Sequence, residues 1–211
     1  MNIDEILSLG SVMPVIVIQD ASHAIPLADA LLAGGISTIE ITLRTEAALE
    51  AIRVIRGERP EIVVGAGTII TAALANDAIS AGAQFGVSPG ATPAVIDGCN
   101  EAGLSLLPGA ATVSEIMALA ERGFQQMKFF PATAAGGQPF LKSLISPFPA
   151  LRFCPTGGIT ETTAPDWLGL ENVLCVGGSW IASSHSINAE DFGGIKARAL
   201  VASQLGGKGS E

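Results

Sequence analysis

Short apolar, β-prone runs alternate with Ala-rich stretches of helical period along nearly the whole chain, and this alternation constrains the fold more than any single motif. The strand candidates are residues 12–18, 38–43, 62–68, 85–88, 105–108, 126–131, 151–156 and 173–177, eight in all. Helix candidates lie between them, at 22–33, 46–56, 72–81, 93–102, 113–122, 139–146 and 162–168, with a last one at 189–205 and a short opening helix at 3–9. Thr112 with Glu115 has the spacing of a capping box, and Ser22 opens another helix. Gly34-Gly35, Gly82, Gly103 and Gly123 stand where helices stop. Repeated βα units with short connections imply a parallel sheet covered on both faces. Eight of them favour a single (β/α)8 TIM barrel with a short N-terminal helix, and a doubly wound open sheet is the alternative. With 48% apolar and only 15% charged residues, the chain has ample material for such a core. No composition shift marks a second domain, so residues 1–205 are expected to form one barrel and 206–211 a flexible tail.

Several function classes are disfavoured at once. No apolar run reaches the roughly 18 residues needed to cross a bilayer. Met1-Asn2-Ile3-Asp4-Glu5 lacks the basic region of a secretory signal, so a cytoplasmic location is expected, with no membrane partner. A net charge of −9 with scattered basic residues argues against a nucleic-acid partner. Cys99, Cys154 and Cys175 form no CxxC pair and read as buried, reduced thiols. The two histidines, His23 and His185, join no His/Cys cluster, so no metal is expected.

Catalytic residues of a (β/α)8 barrel lie at the carboxyl ends of its strands. Lys128 is the sharpest candidate among the four lysines. Lys208 lies in the expected tail, Lys142 and Lys196 on helices with polar faces, and only Lys128 sits inside an apolar strand, Met127-Lys128-Phe129-Phe130-Pro131. An edge-strand or snorkelling lysine is the ordinary explanation, but a closed barrel has no edge. Burial disfavours an ammonium, and the neutral amine is the nucleophile that Schiff-base chemistry requires. In Thr38-Ile39-Glu40-Ile41-Thr42-Leu43 the alternation sends Glu40 inward with Thr38 and Thr42. A carboxylate there needs a cationic partner, as a structural salt bridge or as an acid/base beside Lys128, whose neighbour Phe130 shares the interior. Arg44 keeps the same parity at the strand mouth and suits a carboxylate or phosphate. Gly157-Gly158 and Gly177-Gly178, with Ser179 beside the second pair, suggest backbone N–H groups that cradle an anion.

These motifs resemble the class I 2-keto-3-deoxy-6-phosphogluconate aldolases, also active as 4-hydroxy-2-oxoglutarate aldolases. The likeness runs from Val12-Met13-Pro14-Val15-Ile16 to Val176-Gly177-Gly178-Ser179-Trp180. It is carried by Glu40-Ile41-Thr42-Leu43-Arg44-Thr45, Val64-Gly65-Ala66-Gly67-Thr68, Ser88-Pro89-Gly90, Lys128-Phe129-Phe130-Pro131-Ala132 and Arg152-Phe153-Cys154-Pro155-Thr156-Gly157-Gly158-Ile159. The resemblance implies that Lys128 is the Schiff-base lysine and Glu40 the general acid/base. Arg44, Thr68, Pro89 and Thr156 would line the pyruvyl end, and Gly157, Gly158, Gly177, Gly178 and Ser179 would bind phosphate; Phe130, sharing the interior with Lys128, is also expected to touch the substrate. It implies a homotrimer without cofactor or metal, acting on a keto-acid phosphate. The chain departs from the family's commoner pattern at Ala91, at Thr133 and at Ala110-Ala111. Thr42 and Arg44 favour the gluconate over the galactonate enzyme, whose members tend to carry Pro and Asn there. Two other functions fit the inward pair: an isomerase or epimerase with Glu40 as carbon base, and a non-enzymatic phosphate sensor. Neither would form a covalent adduct with pyruvate.

Overall fold

The computed structural model describes residues 1–206, so residues 207–211 of the expected tail lie outside the described residues. In chain order the elements are α1 (Ile3–Leu7), β1 (Val12–Ile16), a 3-10 turn (Ala21–His23), α2 (Ala24–Ala33), β2 (Thr38–Thr42), α3 (Ala48–Glu58), β3 (Val63–Gly67), α4 (Ala72–Ser80), β4 (Gly86–Val87) and α5 (Pro93–Ala102). There follow β5 (Leu106–Leu107), β6 (Gly109–Ala110), α6 (Val113–Glu121), β7 (Gln126–Phe129), α7 (Gly137–Leu144), β8 (Arg152–Pro155), α8 (Ala164–Leu168), β9 (Val176–Gly178), α9 (Ser184–Asn188) and α10 (Phe192–Ser203).

The βα repeat is present and the strand pairs are parallel, but the closed eight-stranded (β/α)8 TIM barrel expected from the sequence is not what forms. The strands fall into a six-stranded sheet, β5-β4-β3-β2-β1-β9, and a three-stranded sheet, β6-β7-β8. One seam lies at Pro108, the last residue of the fifth apolar run. Proline has no N–H to give to a ladder. Leu106 and Leu107 pair with β4, whereas Gly109 and Ala110 pair with β7. At the other seam β8 and β9 meet only through the isolated bridges Phe153↔Val173 and Thr156↔Gly177.

Side-chain alternation divides the core in two. Ile39, Ile41, Val64 and Ala66 belong to a large cluster with the helices. Met13, Val63, Phe85, Val87, Leu107, Cys154 and Cys175 form a smaller cluster with Ile6 and Leu7 of α1. The short opening helix therefore covers one end of the sheet interior, and burial of Ile6 and Leu7 contributes roughly 1.5–3 kcal/mol each.

Local signals explain most element ends. Thr112 and Glu115 make the expected capping box, with Glu115 Oε2 accepting from Thr112 N at 2.9 Å. Ser22 does not cap its helix; the Asp20 side chain accepts from Ser22 N at 2.8 Å and opens the 3-10 turn instead. Gly103 ends α5 in the left-handed region, at φ 70°. The single helix expected over 189–205 is two helices, α9 and α10. Glu190 between them has φ 53°, and Asp191 restarts the helix by accepting from Gly194 N at 2.9 Å.

Candidate active site

Strand β2 brings Thr38, Glu40 and Thr42 to one face, and all three are buried. Thr42 Oγ1 donates to Ile16 O at 2.7 Å, which ties β2 to β1 next to Glu40. Glu40 lies opposite Gly65 in the β2–β3 ladder, and its carboxyl occupies the space where a side chain on Gly67 would be. A Cβ at Gly67 would stand 2.7 Å from Glu40 Cγ and Cδ, and nearer still to Oε1. The two glycines of Gly65-Ala66-Gly67 thus have separate uses, because Gly65 makes room for the Phe85 ring.

Strand β7 supplies Lys128. It lies between Gly109 on β6 and Cys154 on β8, so it sits on the central strand of its sheet. The absence of an edge around Lys128 thus has a different cause from barrel closure. Lys128 Nζ reaches Glu40 Oε1 at 3.4 Å across the gap between the two sheets, with side chains only 5% and 3% exposed. Enclosure this complete makes the pair's mutual attraction much stronger than on a surface, while desolvation opposes it. Nζ also lies 5.3 Å from the centre of the Phe130 ring. On the β8 side, Cys154 and Cys175 stand with their sulfurs 3.5 Å apart. Hydrogen bonding to Cys154, together with burial, pushes the Cys175 thiol well up, so it is neutral and adds no charge beneath the lysine.

Lys128 faces a cleft of about 330 Å³ at the carboxyl ends of the strands. Arg44, Phe130 and Thr156 stand on its wall, with Gly157, Gly158, Gly177 and Ser179. Glu40 is not a wall residue; its link to the cleft is the contact with Lys128. Thr68 enters through Arg44, whose Nε donates to Thr68 Oγ1 at 3.0 Å. Thr68 holds φ 63°, a left-handed conformation that is a true outlier for a β-branched residue and costs on the order of 1–3 kcal/mol. That conformation turns its hydroxyl to the guanidinium. Gly157 and Gly158 have φ 104° and 77°, which only glycine adopts without strain, and a Cβ at Gly158 would also meet Thr133 Oγ1 at 2.6 Å. Gly177 leaves room for Thr156, whose Cγ2 would lie 2.9 Å from an added Cβ. Pro89 and Gly178 are not on the cleft wall. Pro89 packs its carbonyl against Gly109, and Gly178 packs against the Trp180 ring.

Four groups of the wall went unnoticed in the sequence: Val15 with Val17, Ile159, Ser183 and Ser184. Strand parity could have found Val15, which lies opposite Glu40. Ser183 and Ser184 follow β9 in a connection and at the start of α9, where no two-residue period applies. Among the described residues no group of three or more His, Cys, Asp or Glu gathers as a metal site. No helix of the described residues is long and apolar enough to cross a membrane.

A buried amine in contact with a buried carboxyl, open to a cleft with a guanidinium at one side and glycine-rich turns at the other, can form an imine with a keto acid and move protons around it. Comparison with known proteins points the same way. The family model for KDPG and KHG aldolases matches residues 3–198. A 2-dehydro-3-deoxy-phosphogluconate aldolase of Pseudoalteromonas atlantica is 46% identical, over 89% of this chain and 87% of its own. The KHG/KDPG aldolase of Escherichia coli is also 46% identical, over 90% of this chain and 89% of its own. Among solved structures, the KDPG aldolase of Legionella pneumophila, captured with pyruvate as a covalent carbinolamine, superposes with a TM-score of 0.92 at 42% identity, covering 94% of this chain and 97% of that one.

Proposed function

The chain belongs to the KDPG and KHG aldolase family, and from that premise we propose that it cleaves 2-dehydro-3-deoxy-6-phosphogluconate and 4-hydroxy-2-oxoglutarate through a Schiff base on Lys128. It is an aldolase, an aldehyde-lyase. The products are pyruvate with glyceraldehyde 3-phosphate from the first substrate, and pyruvate with glyoxylate from the second. The observation that carries the residue assignment is the enclosed contact between Lys128 Nζ and Glu40 Oε1 at 3.4 Å, opening on the cleft.

The reaction follows from that contact. Arg44, oriented by Thr68, takes the C1 carboxylate as a charge-assisted hydrogen-bond donor. The Lys128 amine adds to the C2 ketone and forms a carbinolamine. Glu40, working through a water, protonates the departing hydroxyl, and loss of water leaves the iminium. The iminium draws in electrons. Glu40 accepts the C4 hydroxyl proton by the same route, the C3–C4 bond breaks, and its electron pair becomes the enamine. The aldehyde leaves, the enamine is protonated at C3, and water releases pyruvate and the free amine. The turns at Gly157-Gly158 and Gly177, with Ser179, hold the phosphate through N–H and hydroxyl donors.

The test is pyruvate release followed with a coupled dehydrogenase. Lys128→Ala eliminates turnover. Glu40→Gln keeps substrate binding and lowers kcat by about 10²–10⁴-fold, the usual contribution of a positioned acid/base. An unchanged rate in Glu40→Gln rejects the role of Glu40. The same reading includes a cytoplasmic homotrimer. Exposed Ile79, Val113, Met117, Leu200 and Val201 are apolar surface available for subunit contact, and light scattering of the eluted protein measures the assembly.

A further inference from the structure

We propose that Ser184 is a specificity residue that accepts a hydrogen bond from the C5 hydroxyl of the phosphorylated substrate, an inference that rests on the aldolase function above. Ser184 is half-buried at the start of α9, and it lines the same cleft as Lys128 and Arg44. Its Oγ donates to Val17 O at 3.2 Å. A carbonyl oxygen has no proton to give, so the direction of this bond is fixed. A hydroxyl has one donor and two lone pairs. With its proton committed to Val17, Ser184 presents only acceptor capacity to the cleft.

An acceptor discriminates among the groups of the substrate. Phosphate oxygens at neutral pH are acceptors with negative charge, and they are repelled by a lone pair. The C1 carboxylate is likewise acceptor-only and goes to Arg44. The C4 hydroxyl gives its proton to Glu40 during cleavage. The C5 hydroxyl remains, a neutral donor between the breaking bond and the phosphate. Neighbouring Ser183 is less free for this task, because its Oγ accepts from Ser186 N at 3.1 Å and also bonds Ser186 Oγ. Around Ser184 the wall is apolar, with Val15, Val17 and Ile159. A C5 hydroxyl turned toward those side chains would lose its partner, so one oriented acceptor is enough to prefer one configuration at C5.

The experiment runs the reaction in the direction of condensation. Pyruvate is offered glyceraldehyde 3-phosphate or its deoxy counterpart, 3-phosphooxypropanal, which lacks only the hydroxyl that becomes C5–OH. The wild type is expected to favour the hydroxylated aldehyde in kcat/KM by about 10-fold, the worth of one buried neutral hydrogen bond. Ser184→Ala brings the ratio close to one by lowering only the reaction of the hydroxylated aldehyde. Ser184→Thr, which keeps the hydroxyl, keeps the preference. An unchanged ratio in Ser184→Ala, or an equal loss with both aldehydes, overturns the proposal, since a purely structural tie to Val17 would affect both alike. Borohydride trapping of pyruvate by the wild type runs in parallel. A wild type that traps no pyruvate overturns the aldolase function and this inference with it. Trapping with an unchanged ratio overturns the role of Ser184 alone.

Discussion

Gly67→Ala tests the site without replacing Lys128 or Glu40. Gly67 is in β3 with no positive φ, so alanine is allowed by the backbone. The added methyl would stand 2.7 Å from Glu40 Cγ and Cδ, against an ordinary carbon–carbon contact of about 3.5–4.0 Å. Glu40 must therefore move by roughly 1 Å, or the strands must part. Overpacking of this kind costs typically about 1–3 kcal/mol of stability. A displacement of about 1 Å in a catalytic group costs on the order of 10²-fold in rate. The expected outcome is a folded protein with kcat down by about 10²-fold and a smaller change in KM, measured by coupled pyruvate release beside thermal unfolding. The double variant Gly67→Ala/Glu40→Gln should be little slower than Glu40→Gln, because both changes act through one carboxyl. A kcat within about 3-fold of wild type refutes the idea that Gly67 seats Glu40. Fully additive losses in the double variant refute it as well.

Other expectations follow from the same geometry. Lys128→Met leaves the buried Glu40 carboxyl without its cation and lowers unfolding free energy by about 3–5 kcal/mol in urea, while Lys128→Met/Glu40→Leu recovers most of that loss. Gly158→Ala, strained at φ 77° and crowded by Thr133, should raise KM for the phosphorylated substrate by about 10-fold, with little change for 4-hydroxy-2-oxoglutarate, which has no phosphate to hold. Glu115→Ala removes the carboxyl that accepts from Ala111 N and Thr112 N and should cost about 0.5–1 kcal/mol at neutral pH. The backbone hydrogen bond from Ala111 is the main cause that holds Glu115 below its ordinary value of 4.5. The folded value being the lower one, the cap stabilises fully above about 4.5, and its contribution is lost as pH falls through the folded value. Urea unfolding of wild type and Glu115→Ala should therefore converge in acid.

Most of the element order could be read from the sequence, because apolar runs and glycine stops are local signals. Residues 93–102 form a helix with the expected bounds, and β2 over Thr38–Thr42 stops one residue short of its apolar run. What the runs do not carry is which strand pairs with which. The fifth strand is expected to stop at Pro108, yet pairing resumes beyond it: Leu106 and Leu107 belong to one sheet, Gly109 and Ala110 to the other. Val173 makes a bridge and no ladder, though its run looked as good as any. The pairing of Glu40 with Lys128 was legible, since two inward charges of opposite sign on apolar strands must find each other or lie buried alone. Arg44 and Thr68 were both singled out, but their hydrogen bond depends on the left-handed turn at Thr68, and threonine gives no sign of that conformation. Ser183 and Ser184 look like a polar linker in sequence. Only the path of the chain after β9 brings them to the cleft.

The mechanism requires a covalent bond between Lys128 and pyruvate. Incubation with pyruvate and sodium borohydride, followed by intact mass and peptide mapping, tests it directly. The expected result is one reduced pyruvyl group per chain, located on Lys128, and none in Lys128→Ala. Undiminished labelling of Lys128→Ala, or a wild type that turns over substrate without ever being trapped, would contradict it.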